Sequence, residues 1–143
     1  MKKILVIICI TLLVFEKNTN AQSGVPDTLA YLQSIVANKA IYIGQPFSVL
    51  HRNLQVQIKF FQPFAAIHHD KTKETSTPFA FYFPSNADEL YLTFPKIEIY
   101  WQVPLNIAQS DNIRNTNNNR GQWNVTSANF YANGIIADIT VRE

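Results

Sequence analysis

Three histidines and one neighbouring aspartate are the first residues equipped for chemistry: His51, and the run His68-His69-Asp70. Imidazole and carboxylate groups ligate zinc, so the set is a candidate for metal-dependent hydrolysis. Its spacing weakens that reading. Adjacent residues on an extended chain point opposite ways, so His68 and His69 do not converge on one ion, and His51 is the lone third histidine. Ser48, His51 and Asp70 hold the residue types of a nucleophilic triad. No Gly-x-Ser-x-Gly elbow surrounds Ser48, and a triad is defined by geometry rather than inventory. Glu98 and Asp138 are candidates for a glycosidase-like carboxylate pair. Both fall on outward faces of candidate strands, where solvated acids are the rule. The four glycines lie scattered at 24, 44, 121 and 134, so no phosphate loop forms. These readings assign no catalytic residue, no metal site and no cofactor. A small exported hydrolase or metal-dependent enzyme using His51, His68, His69 and Asp70 stands as the alternative to a binding role.

A second set has more order. Phe61, Tyr82, Tyr91, Tyr100 and Tyr131 each belong to a different candidate strand. With period two applied, all five land opposite the apolar face. Tyrosine joins an apolar ring to a polar tip and is favoured at interfaces. Contiguous exposed apolar surface marks contact sites. The competing explanation is sheet stability, since these residues are strong strand formers and cross-strand aromatic pairs stabilise sheets. A slip of one residue reverses a strand's faces entirely. The set points to a non-catalytic binding module that contacts a protein or envelope component through an outward aromatic face. A sugar-binding module is a further alternative, because Tyr and Trp faces stack on sugar rings. Trp101 argues partly against it, since period two turns that ring inward with Ile97 and Ile99.

The elements that must position these residues start with a leader. Met1-Lys2-Lys3 is basic, Ile4 to Phe15 is an apolar run, and Thr19-Asn20-Ala21 has the small-x-small form of a cleavage site. That is the pattern of a secretory signal peptide, with its lysine-led start of the bacterial kind. The leader spans 1–21, with Ser23 as an alternative boundary, and 22–143 forms a single domain. A transmembrane anchor is the rival, but it needs roughly 20 apolar residues, and this run has twelve. Cys9, the only cysteine, lies inside the apolar run, too early for a lipoprotein signal. The exported chain would have no disulfide and no membrane span. Three of the twelve Lys/Arg and one of the ten Asp/Glu leave with the leader, so nine of each sign remain. A nucleic-acid partner calls for clustered basic charge, which is absent. The destination is periplasmic or secreted.

Behind the leader, Asp27 or Thr28 can cap a helix over about 27–38, with Leu29, Leu32, Ile35 and Val36 on one stripe. Gly44 and Pro46 then lead into a short helix carrying Phe47, Leu50 and Leu54 at helical spacing. From Leu54 the period changes to two: Leu54, Val56, Ile58 and Phe60 face one way, Gln55, Gln57 and Lys59 the other. Ala65 to Pro78 reads as a polar connection. Strands follow at Phe79–Phe83, Leu90–Phe94 and Lys96–Val103, with a tight turn or a bulge at Pro95. Pro104 to Gly121 is a long asparagine-rich loop, with a helical turn inside it as the alternative. Asn133-Gly134 signals a closing two-residue hairpin, with Phe130, Ala137, Ile139 and Val141 inward and Tyr131, Ile136, Asp138 and Arg142 outward. Asn124-Val125-Thr126 fits a glycosylation sequon.

This order predicts an α+β fold, with two N-terminal helices packed on one face of an antiparallel sheet of about five or six strands. A small all-β barrel is the alternative. The succession Ile43-Gly44-Gln45-Pro46, Val49-Leu50, Leu90-Tyr91-Leu92-Thr93-Phe94 and Gly134 to Val141 resembles the small exported helix–helix–sheet domains of the β-lactamase-inhibitor-like and outer-membrane-assembly-lipoprotein-like type. It departs from them at Asn53-Leu54, where those domains carry a second glycine, and it lacks a lipidated cysteine. The resemblance implies that architecture and a binding role.

Overall fold

Asp27, itself extended, caps the first helix, its carboxylate accepting from Ala30 N at 3.0 Å. Helix α1 (Thr28–Ala37) buries Leu32 and Ile35 on the expected stripe. The computed structural model describes residues 27–82, 95–116 and 120–142. The candidate leader 1–21 and the candidate strand Leu90–Phe94 lie outside these residues.

A single 3-10 turn, Lys39–Ile41, leads to Gly44 and Pro46. Gly44 adopts φ 77°, a left-handed conformation that favours glycine. Helix α2 (Phe47–Asn53) has no side-chain cap. Its first N–H groups are satisfied by tertiary partners: Phe47 N donates to Gly134 O at 2.8 Å and Ser48 N to Ala132 O at 3.0 Å. Phe47 and Leu50 point into the core.

Four antiparallel strands follow in the spatial order β1-β2-β3-β4: β1 (Phe60–Phe61), β2 (Lys73–Ala80), β3 (Lys96–Asn106) and β4 (Ile136–Arg142). Helices α3 (Ile107–Asn115) and α4 (Val125–Tyr131) lie between β3 and β4. The protein is therefore α+β with an antiparallel sheet, not an all-β barrel. The core joins Phe61, Phe79, Ile97, Ile99, Trp101 and Ile139 of the sheet to Leu32, Ile35, Phe47, Leu50 and Tyr131 of the helices. Among the described residues no helix is long and apolar enough to cross a membrane.

The expectations of five or six strands and of a closing hairpin need correction. Four strands are seen among the described residues. Residues 128–131 of the segment read as a hairpin strand belong to α4 instead, because Asn124 and Ser127 close a capping box: Asn124 Oδ1 accepts from Ser127 N at 3.0 Å, and Ser127 Oγ accepts from Asn124 N at 2.8 Å. Asn133-Gly134 marks the exit from that helix. The connection Ala65–Pro78 hides most of β2, whose polar Glu74, Ser76 and Thr77 are buried. The Pro104–Gly121 loop contains the end of β3 and all of α3, which Asn106 caps by accepting from Gln109 N at 3.1 Å. The period-two run from Leu54 keeps its alternation of burial, but only Phe60 and Phe61 join the ladder.

Two register shifts decide which side chains enter the core. On β4, Ile136 opposes Trp101 while Asp138 opposes Tyr100, which leaves Ala137 unpaired and exposed. Ile136 and Ile139 are therefore both buried although three residues apart. That corrects the expectation of Ala137 inward and Ile136 outward. On β2, the shift between Glu74 and Ser76 brings Glu74 and Thr77 into hydrogen-bond contact.

Candidate functional site

A block of aromatic rings lies between α2, the sheet and α4. Phe47, His51 and Phe79 are nearly parallel: His51 lies 5.8 Å from Phe47 with 7° between the planes, and Phe79 lies 4.8 Å from it with 18°. Trp101, Tyr131 and Trp123 form a second parallel set, with 17° and 21° between neighbours. The two sets cross nearly at right angles, as in the 87° between Phe79 and Trp123. Edge-to-face contact suits the opposite charges of a ring's face and rim.

Trp123 stands at the solvent end of this block, half-buried. It is placed by a short backbone flank on β1. Phe61 N donates to Gly121 O at 2.9 Å, Phe60 and Gln122 form a bridge, and Trp123 N donates to Lys59 O at 2.9 Å. Gly121 permits this approach: its φ is 90°, and a Cβ there would stand 2.6 Å from the Phe61 carbonyl oxygen and 2.6 Å from the Phe60 ring. The indole meets His51 at 5.4 Å and 77°.

His51 and Trp123 form one wall of a cleft of about 340 Å³, lined also by Gln57, Ile58, Lys59 and Gln122. Small-molecule sites span roughly 300–1,000 Å³ and combine apolar walls with a few directed polar groups. Lys59 Nζ donates to Gln57 Oε1 at 2.9 Å. Burial lowers the pKa of His51, which favours the neutral imidazole, with one donor and one acceptor nitrogen.

Two further polar clusters are structural. Inside the core, Tyr131 donates to Glu74 Oε1 at 2.9 Å, the Thr77 hydroxyl donates to the same oxygen, and Trp101 Nε1 donates to Thr77 Oγ1 at 2.9 Å. Burial raises the pKa of Glu74. On the opposite face of the sheet, Glu98 accepts from Ser76 Oγ at 2.8 Å and Tyr100 OH at 3.2 Å, and pairs with Arg142. Glu98 is buried, against its expected outward position. Its cross-strand partner is Thr140, so it does not oppose Asp138.

The outward aromatic row is not assembled as expected. Phe61 and Tyr131 are fully buried. Phe61 opposes Phe79 in the β1–β2 register and shares its core face. Tyr131 ends a helix rather than a strand, and with Ser127 one turn earlier it points inward. Tyr82 and Tyr100 are half-buried, and Tyr91 lies outside the described residues. The histidine set is dispersed as well. His68 and His69 are exposed in a loop. Asp70 is committed to its own turn, bonded by the Thr72 hydroxyl, by Thr72 N at 3.1 Å and by Lys73 at 3.1 Å, which holds its carboxyl down to about 2. Among the described residues, no three His, Cys, Asp or Glu side chains are grouped to hold a metal ion. The Ser48 carbonyl accepts from Arg52 Nε at 3.2 Å, and the His51 ring packs on Phe47 and Trp123 instead of engaging a serine.

Sequence reasoning singled out His51 for other chemistry and passed over Trp123, Gln57, Lys59 and Gln122. The available signal was the outward alternation of Gln57 and Lys59, together with Asn124 as a helix cap that fixes the preceding tryptophan. Comparison with known proteins matches this chain to no family model, no curated protein and no solved structure.

Proposed function

We propose that this protein is a non-catalytic binding module whose ligand, a saccharide of the cell envelope, lies against Trp123 in the cleft between α2 and the Gly121–Trp123 flank. The observation that carries the reading is the cleft itself: the Trp123 indole on one wall, with two amides, an imidazole and an ammonium around it. A sugar ring offers apolar C–H faces to an indole and hydroxyls to amides, so this lining suits it chemically. The dispersal of His51, His68, His69 and Asp70 removes the support for the hydrolase alternative. Export to the periplasm or beyond is part of the proposal and is supported by the basic, apolar and small-residue pattern of residues 1–21. So is kinship with the exported helix–helix–sheet domains, supported by the order of α1, the Gly-x-Pro entry, α2 and the strands.

Tryptophan fluorescence tests the reading directly, because the chain has two tryptophans and Trp101 is buried in the core. Soluble envelope glycans should quench the emission of the wild-type protein saturably. Trp123→Ala should abolish that response while the far-UV circular dichroism stays unchanged. A wild-type emission that no glycan alters would reject the proposal.

A further inference from the structure

We infer that the saccharide taken by this cleft is acidic, carrying a carboxylate held by Lys59 while its ring lies on Trp123. The inference rests on the cleft reading above and adds the charge and its holder. The lining contains one ammonium and no carboxylate: His51, Gln57, Ile58, Lys59, Gln122 and Trp123. A neutral sugar needs only the ring and the amides, so the cation is the group left without a role.

Lys59 is also well placed. Its backbone is held on both sides, its N–H by Ala80 O at 2.8 Å and its carbonyl by Trp123 N at 2.9 Å. The last bond ties the origin of the ammonium stem to the origin of the indole. A fixed backbone lowers the entropy lost when the side chain orders on a ligand. Two other lysines contrast with it: Lys39 pairs with Asp138 at 2.6 Å and Lys73 with Asp70 at 3.1 Å. Among the described residues Lys59 forms no such ion pair, and it is bonded to the neutral Gln57 amide. An ammonium has three donors, and charge-assisted bonds to a carboxylate are stronger than neutral ones. One cation suits a single negative charge. A phosphate monoester carries about 1.5 to 2 negative charges at neutral pH, more than one ammonium offsets.

The experiment is a fluorescence or calorimetric titration of the exported chain with three probes: galacturonate oligomers, their methyl esters, and sugar phosphates. The methyl ester keeps the ring and removes the charge. The wild-type protein should bind the acid about tenfold tighter than the ester, the scale of a charge-assisted hydrogen bond, and added salt should erode that preference. Lys59→Gln should bring the acid to within twofold of the ester, and Lys59→Arg should restore the preference. Thermal unfolding of each variant controls for folding. Equal wild-type affinity for acid and ester, with both lost in Trp123→Ala, would overturn the acidic preference and leave the cleft reading standing. Tighter binding of the sugar phosphates would also overturn it. If none of the three probes binds the wild-type protein, the acidic preference falls, and the cleft reading falls with it when soluble envelope glycans also leave the wild-type emission unchanged.

Discussion

Tyr131, the last residue of α4, and Glu74, near the start of β2, meet inside the molecule: the phenol donates to the carboxylate oxygen Oε1 at 2.9 Å, and neither side chain touches solvent. The bond ties a helix to the sheet across the aromatic block that ends at Trp123. A buried polar group is tolerable only when it is bonded. Here Tyr131 and Thr77 both serve one oxygen of Glu74. Burial also raises the pKa of Tyr131, and the charge of Glu74 adds to that rise.

Glu74 should make stability fall as pH rises. Burial raises its folded pKa above an unfolded value of about 4.3. Below that value both states are protonated and the contribution is fully present. Between the two values the unfolded chain has released the proton and the folded one has kept it, so stability drops with each pH step until the folded pKa is passed. Glu74→Gln keeps the acceptor and cannot titrate. Urea unfolding from pH 4 upward should show the wild-type stability declining relative to Glu74→Gln. Parallel curves would mean that Glu74 titrates as an exposed acid does. Asp70 and Asp138, whose pKa values are lowered, act with the opposite sign, and they cancel in this comparison because both chains carry them.

Asp138 guards the edge strand. It accepts from Lys39 Nζ at 2.6 Å and from the Ile139 backbone N–H at 2.8 Å, and the Lys39 bond is the main cause of its lowered pKa. Exposed ion pairs contribute little, and a typical hydrogen bond contributes roughly 0.5–1.5 kcal/mol. Asp138→Ala should therefore cost about 1 kcal/mol, twice what a plain surface change costs. Ile139 is fully buried, so Ile139→Ala should cost roughly 2–5 kcal/mol. Denaturant midpoints at equal slope give both values, and the reverse ranking would refute the β4 register.

Gly121 should be the least replaceable glycine described. Its φ of 90° and the 2.6 Å approach to the Phe61 carbonyl both exclude a side chain. Gly44 has a φ of 77° and open space around it. Gly44→Ala should cost roughly 1–2 kcal/mol from the left-handed conformation alone. Gly121→Ala should cost more, and it should shift the Trp123 emission because the flank that carries the indole must move. Equal melting temperatures for the two variants would show that the flank adapts freely.

Part of this structure was legible in local chemistry. Asp27 with the stripe of Leu32 and Ile35 marked α1, Gly44-x-Pro46 marked the entry to α2, and Ile97, Ile99 and Trp101 marked the buried side of β3. Each depends on residues a few positions apart, bonded or packed on the same element. The residues of β2 were illegible for the opposite reason. Glu74, Ser76 and Thr77 read as a polar loop, and they are tolerated in the interior only because Tyr131, Trp101 and Glu98 supply partners from other elements.

The sequence by itself determined the α+β class, the first two helices and the alternation around Ile58 and Phe60, because capping and periodicity act locally. Only the tertiary structure decided the faces. A register shift at Ala137 buries Ile136, a capping box turns the Tyr131 segment from strand to helix, and a left-handed Gly121 brings Trp123 beside His51 and Lys59. Those outcomes depend on which distant backbone groups hydrogen-bond to one another, and no spacing along the chain encodes that choice.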